Sequence, residues 1–168
     1  MHFDITHDNR TTLAIDYAGA VELGYPASVA GAALKRAAKA EVARVANAYR
    51  AKLASTSAGK LQAYRIKEEI ARDPANADAA ELALIEREAT ARGISRDDLI
   101  ARIAAQATAY RQISLLIEAL ETEAGAAISA IADDAPDIET QISTVLGAAK
   151  AQAETAFNEA LALINGGS

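Results

Sequence analysis

The sequence lacks cysteine and tryptophan and is poor in residues that interrupt helices. It contains three prolines, five tyrosines and two phenylalanines among 168 residues. The absence of cysteine excludes disulfides, zinc–thiolate sites, iron–sulfur clusters and a cysteine nucleophile. No uncharged stretch approaches the roughly 18 apolar residues that a membrane span needs, and MHFDITHDNR at the start lacks the basic and apolar parts of a secretory signal. A protein without a signal peptide or a membrane span is expected.

Alanine is what the sequence has in abundance, since it makes up about a quarter of the residues. Alanine loses no side-chain entropy in a helix, and the frequent leucine, glutamate, lysine and arginine are also good helix formers. A chain of this length suits one folded domain. We therefore predict an all-α protein, an elongated helical bundle over residues 28–168, preceded by a short N-terminal arm, residues 1–27.

Five helices are predicted after the arm, because apolar residues recur there every three or four positions. Their ends are set by Pro74, by Gly93 and by the capping residues Asp78 and Ser95. The predicted helices cover about residues 28–53, 58–72, 78–93, 95–131 and 138–164. The short stretch DDAPD separates the last two, which predicts a long antiparallel hairpin over about residues 95–165. Its three carboxylates are interpreted as capping groups at a helix start, in preference to a metal site.

The arm differs from the rest of the chain because HFDIT and TTLAIDY alternate apolar and polar residues. Such alternation predicts two short β-strands. We expect the arm to dock on a partner subunit or to pair with an exposed strand. The candidate anchor residues are Phe3, Ile5, Leu13, Ile15 and Tyr17.

The fourth predicted helix carries a heptad-like pattern. Its inner positions advance alternately by four and three residues, the spacing typical of a left-handed coiled coil. They are Leu99, Ile103, Gln106, Tyr110, Ile113, Ile117, Leu120 and Ala124. A core with few large residues would gain buried surface by packing against a second copy. A homo-oligomer is therefore expected, with Ile113, Ile117 and Leu120 as candidate seam residues.

Charge is distributed unevenly along the chain, whose formal net charge is −6. Residues 28–67 hold nine basic residues and one acid, and the remainder is acidic. The basic flank of the first predicted helix, read at about 100° per residue, consists of Lys35, Arg36, Lys39, Arg44 and Arg50.

Three interpretations of the basic flank remain open. It could bind nucleic acid phosphates, it could complement the acidic hairpin within the chain or across a subunit contact, or it could simply be solvated. The acidic net charge and the lack of exposed aromatic residues between the basic ones count against nucleic acid. Charge complementarity in an assembly is preferred to nucleic acid binding, and simple solvation of the flank is given the same weight as charge complementarity.

The tripeptide AYR occurs three times, ending at Arg50, Arg65 and Arg111. Tyrosine beside arginine could form a base-stacking surface. The unequal separations exclude a solenoid repeat, and tyrosines on inner helix faces usually pack in a core. Packing is the predicted role.

No pattern predicts catalysis. Gly59-Lys60 resembles the end of a phosphate-binding loop, but Ala54 replaces the first glycine and Leu61 replaces the hydroxyl residue. Residues 55–57 are instead predicted to form a hinge and helix cap. The two histidines lie in the arm beside Asp4 and Asp8 and are interpreted as solvated. We expect no enzyme activity, cofactor, metal or small-molecule substrate.

Three stretches resemble small alanine-rich helical proteins encoded in bacteriophage, prophage and gene-transfer-agent tail or virion clusters. They are KLQAYRIKEEIARDP, ELALIEREATARGISRDDL and AYRQISLLIEALETEAGAAISAI. The resemblance implies a structural or attachment component of a phage-like particle, such as a tail, tail-fibre or capsid-decorating protein. Its implied partners are other virion proteins, and its implied location is the virion, or the host bacterial cytoplasm during assembly. No catalytic residue carries over. A nucleic-acid-binding or packaging accessory and a tail-fibre assembly chaperone remain as alternatives.

Overall fold

The chain begins with a β-hairpin. In the computed structural model, which describes residues 1–53 and 58–166, strand β1 spans Phe3–His7 and strand β2 spans Arg10–Ile15. The strands pair antiparallel, and Asp8 and Asn9 join them with φ angles of 48° and 61°. Two successive positive φ angles are those of a type I′ turn, whose twist matches that of the strands. The two predicted strands are confirmed.

A bulge interrupts the hairpin near its open end. The pairing shifts between Phe3 and Ile5, and Ala14 on the opposite strand has a φ of 51°. The Ala14 amide donates a hydrogen bond to the Asp4 carboxylate at 2.9 Å. This side-chain acceptor replaces the ladder partner that the bulge removes.

A short helix, α1, follows the hairpin and was not predicted. It spans Tyr17–Glu22, and Asp16 is its N-cap, because the Asp16 carboxylate accepts a hydrogen bond from the Gly19 amide at 2.8 Å. The alternating pattern had extended the second strand through Tyr17, and this assignment is wrong. Fewer than two helical turns are too short to show helical periodicity.

Five longer helices make up most of the described chain, as predicted, and the protein is all-α apart from the hairpin. They are α2 (Ala27–Leu53), α3 (Ala58–Arg72), α4 (Ala79–Ala91), α5 (Arg96–Ala130) and α6 (Ile138–Gly166). Within residues 1–53 and 58–166, no helix is both long enough and apolar enough to cross a membrane.

Capping residues set the ends of α4 and α5 as predicted. The Asp78 carboxylate accepts a hydrogen bond from the Ala80 amide at 2.7 Å, and Gly93 after α4 has a φ of 68°. The Ser95 hydroxyl accepts from the Asp98 amide at 3.0 Å and donates to the Asp98 carboxylate at 2.6 Å. These two bonds form a reciprocal capping pair that begins α5.

Contacts divide the chain into two compact units. Unit 1 consists of Met1–Arg50 and Leu116–Thr155, and unit 2 of the described residues within Ala51–Leu115 and Ala156–Ser168. The N-terminal arm belongs to unit 1, together with most of α2 and parts of α5 and α6. The arm is therefore packed with the helices that follow it.

The core of unit 1 combines the hairpin with α2 and the α5–α6 connection. Its largest fully buried side chains are Ile5, Leu34, Ile128 and Ile138. Small residues of α2 allow this connection to approach closely: a Cβ at buried Gly31 would lie 1.8 Å from the carbonyl oxygen of Asp133. Glycine is required at this position because any side chain would overlap that carbonyl.

The core of unit 2 is smaller. It is formed by Ile70 of α3, Ile85 and Ala89 of α4, and Leu99 of α5. Ile94, from the turn after Gly93, packs against it. This contact joins the end of α4 to the start of α5.

Most predicted inner positions are buried, and two tyrosines are exceptions. Tyr110 of α5 is 38% exposed, whereas its neighbour Ala109 is 4% exposed. Tyr64 of α3, also predicted to face inward, is 57% exposed. The predicted packing role of these tyrosines is therefore wrong. An α-helix drifts relative to a strict heptad, and here the smaller residue occupies the inner position.

Candidate functional site

The predicted anchor residues of the arm are mostly used inside the chain. Phe3 and Ile5 are 6% and 1% exposed in the core of unit 1, and Ile15 and Tyr17 pack against that core. Phe3 and Ile5 therefore have little surface left for a partner and Ile15 and Tyr17 are half-buried, so an anchor role for these residues stays a prediction. Leu13 alone of the five is largely exposed, at 69%.

The predicted seam residues are also buried by the chain itself. Ile113, Ile117 and Leu120 are 2%, 2% and 9% exposed. Each is largely covered by residues of its own chain, so little of these side chains is left for a second copy, and the intermolecular seam stays a prediction. A heptad pattern indicates which face of a helix is buried but not which chain buries it.

Lys35 of the basic flank binds the end of α5 and the connection that follows. Its ammonium group donates to the carbonyl oxygens of Ser129 and Ile131 and lies 2.8 Å from the Asp133 carboxylate. The Lys35 side chain is only 14% exposed. The ammonium thus satisfies carbonyl groups that have no partner within α5 and neutralises one carboxylate of DDAPD.

Arg50 also pairs with acidic residues of α5 within unit 1. Its guanidinium lies 2.6 Å from both Glu118 and Glu121 of α5. The hydrogen bonds that Arg50 donates, foremost the one to Glu121, raise the pKa of Arg50 above its ordinary value. Lys35 and Arg50 therefore complement acidic residues of α5 and of the connection that follows it, all within the same chain.

The other members of the basic flank differ in their partners. Arg44 donates two hydrogen bonds to Glu41 on the same helix. Arg36 and Lys39 are exposed and have no ion pair within the described residues. Two free cations remain from a flank of five.

A groove lies on unit 1 among α2, α5 and α6, and we refer to it as the unit 1 groove. Its cavity volume is about 510 Å³. Its floor is apolar and consists of Val42, Val45, Ala46, Ile117, Leu120, Leu146, Ala149 and Ala153. Alanine and Gly147 supply much of its wall, so the shortage of large side chains leaves this volume unfilled.

Among the described residues, the charged side chains that line the unit 1 groove are those of Glu41, Glu121 and Lys150. The hydrogen bond from Arg44 lowers the pKa of Glu41, and the charge of Lys150 lowers it further by a smaller amount. Glu121 is bound by Arg50. Both carboxylates thus have arginine partners, whereas Lys150 has no carboxylate within 4.0 Å among the described residues.

Ion pairs around Glu88 link α3 and α4 in unit 2. Lys67 of α3 and Arg92 at the end of α4 both contact this carboxylate, Arg92 at 2.7 Å. The hydrogen bond from Lys67 is the largest cause of the lowered pKa of Glu88. Because Glu88 is 26% exposed, these pairs are partly shielded from water.

Unit 2 also presents large apolar side chains to solvent. The most exposed are Leu115 of α5, at 71%, and Leu84 of α4, at 66%. Tyr64, Ile66 and Tyr110 are exposed at 57%, 40% and 38%. Aromatic and large aliphatic residues of this kind are the usual anchors of protein interfaces.

Gly59-Lys60 and the histidines of the arm are the sequence features that were considered for catalysis or metal binding. Gly59 and Lys60 lie in the first turn of α3, while the predicted hinge and cap at Ser55–Ser57 lie outside the described residues. His7 lies 3.3 Å from its neighbour Asp8. In the described part of the chain, no group of three or more histidine and acidic side chains could hold a metal ion.

Comparisons with protein-family models, with curated proteins and with solved structures found no match to this chain.

Proposed function

We propose that this protein acts by protein–protein assembly, as a structural or attachment component of a phage-like particle. The observation that supports assembly is the exposure of large apolar side chains on unit 2, above all Leu115 and Leu84. Each leucine loses about 1.5–3 kcal/mol of favourable transfer free energy by remaining in water. The particle itself is suggested by the sequence resemblance.

The alternative of nucleic acid binding has less support from the surface charge. Lys35, Arg44 and Arg50 are paired with carboxylates of the same chain. Binding phosphate through these three residues would require breaking those pairs. Arg36 and Lys39 have no ion pair with any residue that the structure describes, and two cations provide little of the counterion release that drives nucleic acid binding.

Self-association tests the assembly step. Leu115→Ser is expected to lower the mass measured by light scattering on a size-exclusion column while leaving the circular dichroism spectrum unchanged. Gln112→Ser is a matched control, because Gln112 is another exposed residue of α5. A wild-type chain that is monomeric at high concentration would refute self-association through this surface.

The particle assignment needs a separate test. Phage-like particles purified from the producing cells on a density gradient are expected to contain this chain at a fixed ratio to their major proteins. Its absence from washed particles would contradict a permanent structural role. Association with assembly intermediates alone would instead favour the chaperone alternative.

A further inference from the structure

We propose that the unit 1 groove binds one single-chain amphiphile with an anionic head, of the fatty-acid class. Its alkyl chain would lie on the apolar floor, and its carboxylate would pair with Lys150. This ligand is independent of the assembly role proposed above.

The dimensions of the groove suit an alkyl chain. The lining residues of α2 run from Glu41 to Tyr49, a length of about 12 Å at the usual helical rise. The cavity has a volume of about 510 Å³. An alkyl chain can lie along this length.

The floor of the groove matches an alkyl chain in polarity. Ile117 and Leu120 of α5 and Val42 of α2 present aliphatic side chains to it. Sites of a few hundred cubic ångströms with an apolar lining and a few polar groups are typical of small-molecule binding. Burying methylene groups against this floor is favourable by the hydrophobic effect.

The charges at the rim determine the head group. Arg44 and Arg50 already bind Glu41 and Glu121, so neither carboxylate requires a cationic ligand. Lys150 is exposed and has no carboxylate within 4.0 Å among the described residues, and its charge acts on Glu41 only from a longer distance. A carboxylate at Lys150 would complete a charge pair at the edge of the groove, with its tail directed inward.

Gly147 provides a way to block the groove without unfolding the protein. It lies within α6 and lines the cavity, and a Cβ placed there would meet no atom within 4 Å. Gly147→Leu should fill the groove and also favour the helix, since glycine is a poor helix former. Gly125 of α5 is the matched control, because its Cβ position is also open and it does not line the groove.

The test is isothermal titration calorimetry of the full chain with dodecanoate, dodecanol and dodecylamine, each below its micelle or solubility limit. At about 0.15 M salt, which screens the net negative charge of the chain, we expect one dodecanoate per chain. Gly147→Leu should weaken binding by at least about tenfold, and Gly125→Leu should leave it unchanged. Dodecanol should bind about threefold more weakly than dodecanoate, and Lys150→Gln should abolish this difference.

Several results would overturn the proposal. One is the absence of saturable binding at one ligand per chain, and another is dodecylamine binding as tightly as dodecanoate. Equal binding by Gly147→Leu and the wild type would place the ligand elsewhere. If Gly147→Leu instead converts a ligand-free dimer into a monomer, the groove is occupied by a second copy and not by an amphiphile.

Discussion

Replacing Gly31 with alanine should destabilise the protein, although alanine is the better helix former. The added Cβ would lie 1.8 Å from the carbonyl oxygen of Asp133 and 2.7 Å from its carbon. Ordinary contact requires separating the two backbones by on the order of 1.5 Å. Overpacking of this kind costs about 1–3 kcal/mol, and displacing the connection weakens the Lys35 hydrogen bonds, which contribute about 1 kcal/mol each. The gain in helix propensity, about 0.5–1 kcal/mol, offsets little of this.

The expected net loss for Gly31→Ala is about 3 kcal/mol in the free energy of unfolding, or about 6–12 °C in Tm for a chain of this size. Urea denaturation followed by circular dichroism at 222 nm measures it. Gly125→Ala is the control, since its Cβ enters open space and should stabilise the helix by about 0.5–1 kcal/mol. Equal stabilisation by both substitutions would refute the close approach of Asp133 to α2.

Three further predictions concern the hairpin, unit 2 and the Lys35 contact. Asn9→Gly should stabilise the protein by about 0.5 kcal/mol in urea denaturation, because Asn9 has a φ of 61° and glycine adopts this conformation without strain; a loss of stability would contradict the turn. The pKa of Glu88 is lower in the folded chain than in the unfolded one, so its contribution is fully present above the unfolded value and is lost as the pH falls through the folded value. Glu88→Gln should therefore destabilise by about 1 kcal/mol at pH 7, and the loss should shrink as the pH is lowered below the unfolded value. A loss that is independent of pH would argue against the ion pairs. Lys35→Met should lower the free energy of unfolding, measured by thermal unfolding, by about 2–3 kcal/mol, because the Asp133 carboxylate and two carbonyl groups lose this donor. The control Lys39→Met, at an exposed position on the same helix, should lower it by almost nothing. Equal losses for the two variants would contradict the role given to the Lys35 contacts.

Helix positions were predictable because the capping residues and glycines that end helices act locally. Asp78, Gly93 and Ser95 each act on the backbone within a few residues, and the structure uses all three as helix ends. The same holds for the strands, where alternation is visible over five residues. Helix α1 escaped prediction because it is too short to show a period.

The partners of the buried surfaces were not predictable in this way. The periodicity of α5 marks Ile113 and Ile117 as inner residues, and they are buried. The same pattern would suit a homo-oligomer or a single folded chain, and the choice depends on residues distant in sequence. Phe3 illustrates this, because it is buried in a core to which residues of its own helices α2, α5 and α6 also belong.

The unit 1 groove was also beyond sequence reasoning. It requires Ala46, Ala149 and Gly147 to meet around one volume, and no local pattern reveals which small residues of different helices will be neighbours. The ion pairs were only partly predictable from the sequence. The excess of basic residues on α2 and of acidic residues on α5 and α6 was visible in the sequence, but the pairing of Arg50 with Glu118 and Glu121 became apparent only in the fold.

The alanine-rich core of unit 1 has a consequence for how stability changes with temperature. The heat capacity change of unfolding grows with the apolar area that becomes hydrated, and buried positions such as Ala30, Ala33 and Ala38 expose little of it. The heat capacity increment per residue should therefore fall below the usual range of about 12–15 cal/mol/K. A smaller increment gives a stability curve with less curvature, so cooling should weaken this fold less than it weakens one built around large aromatic side chains.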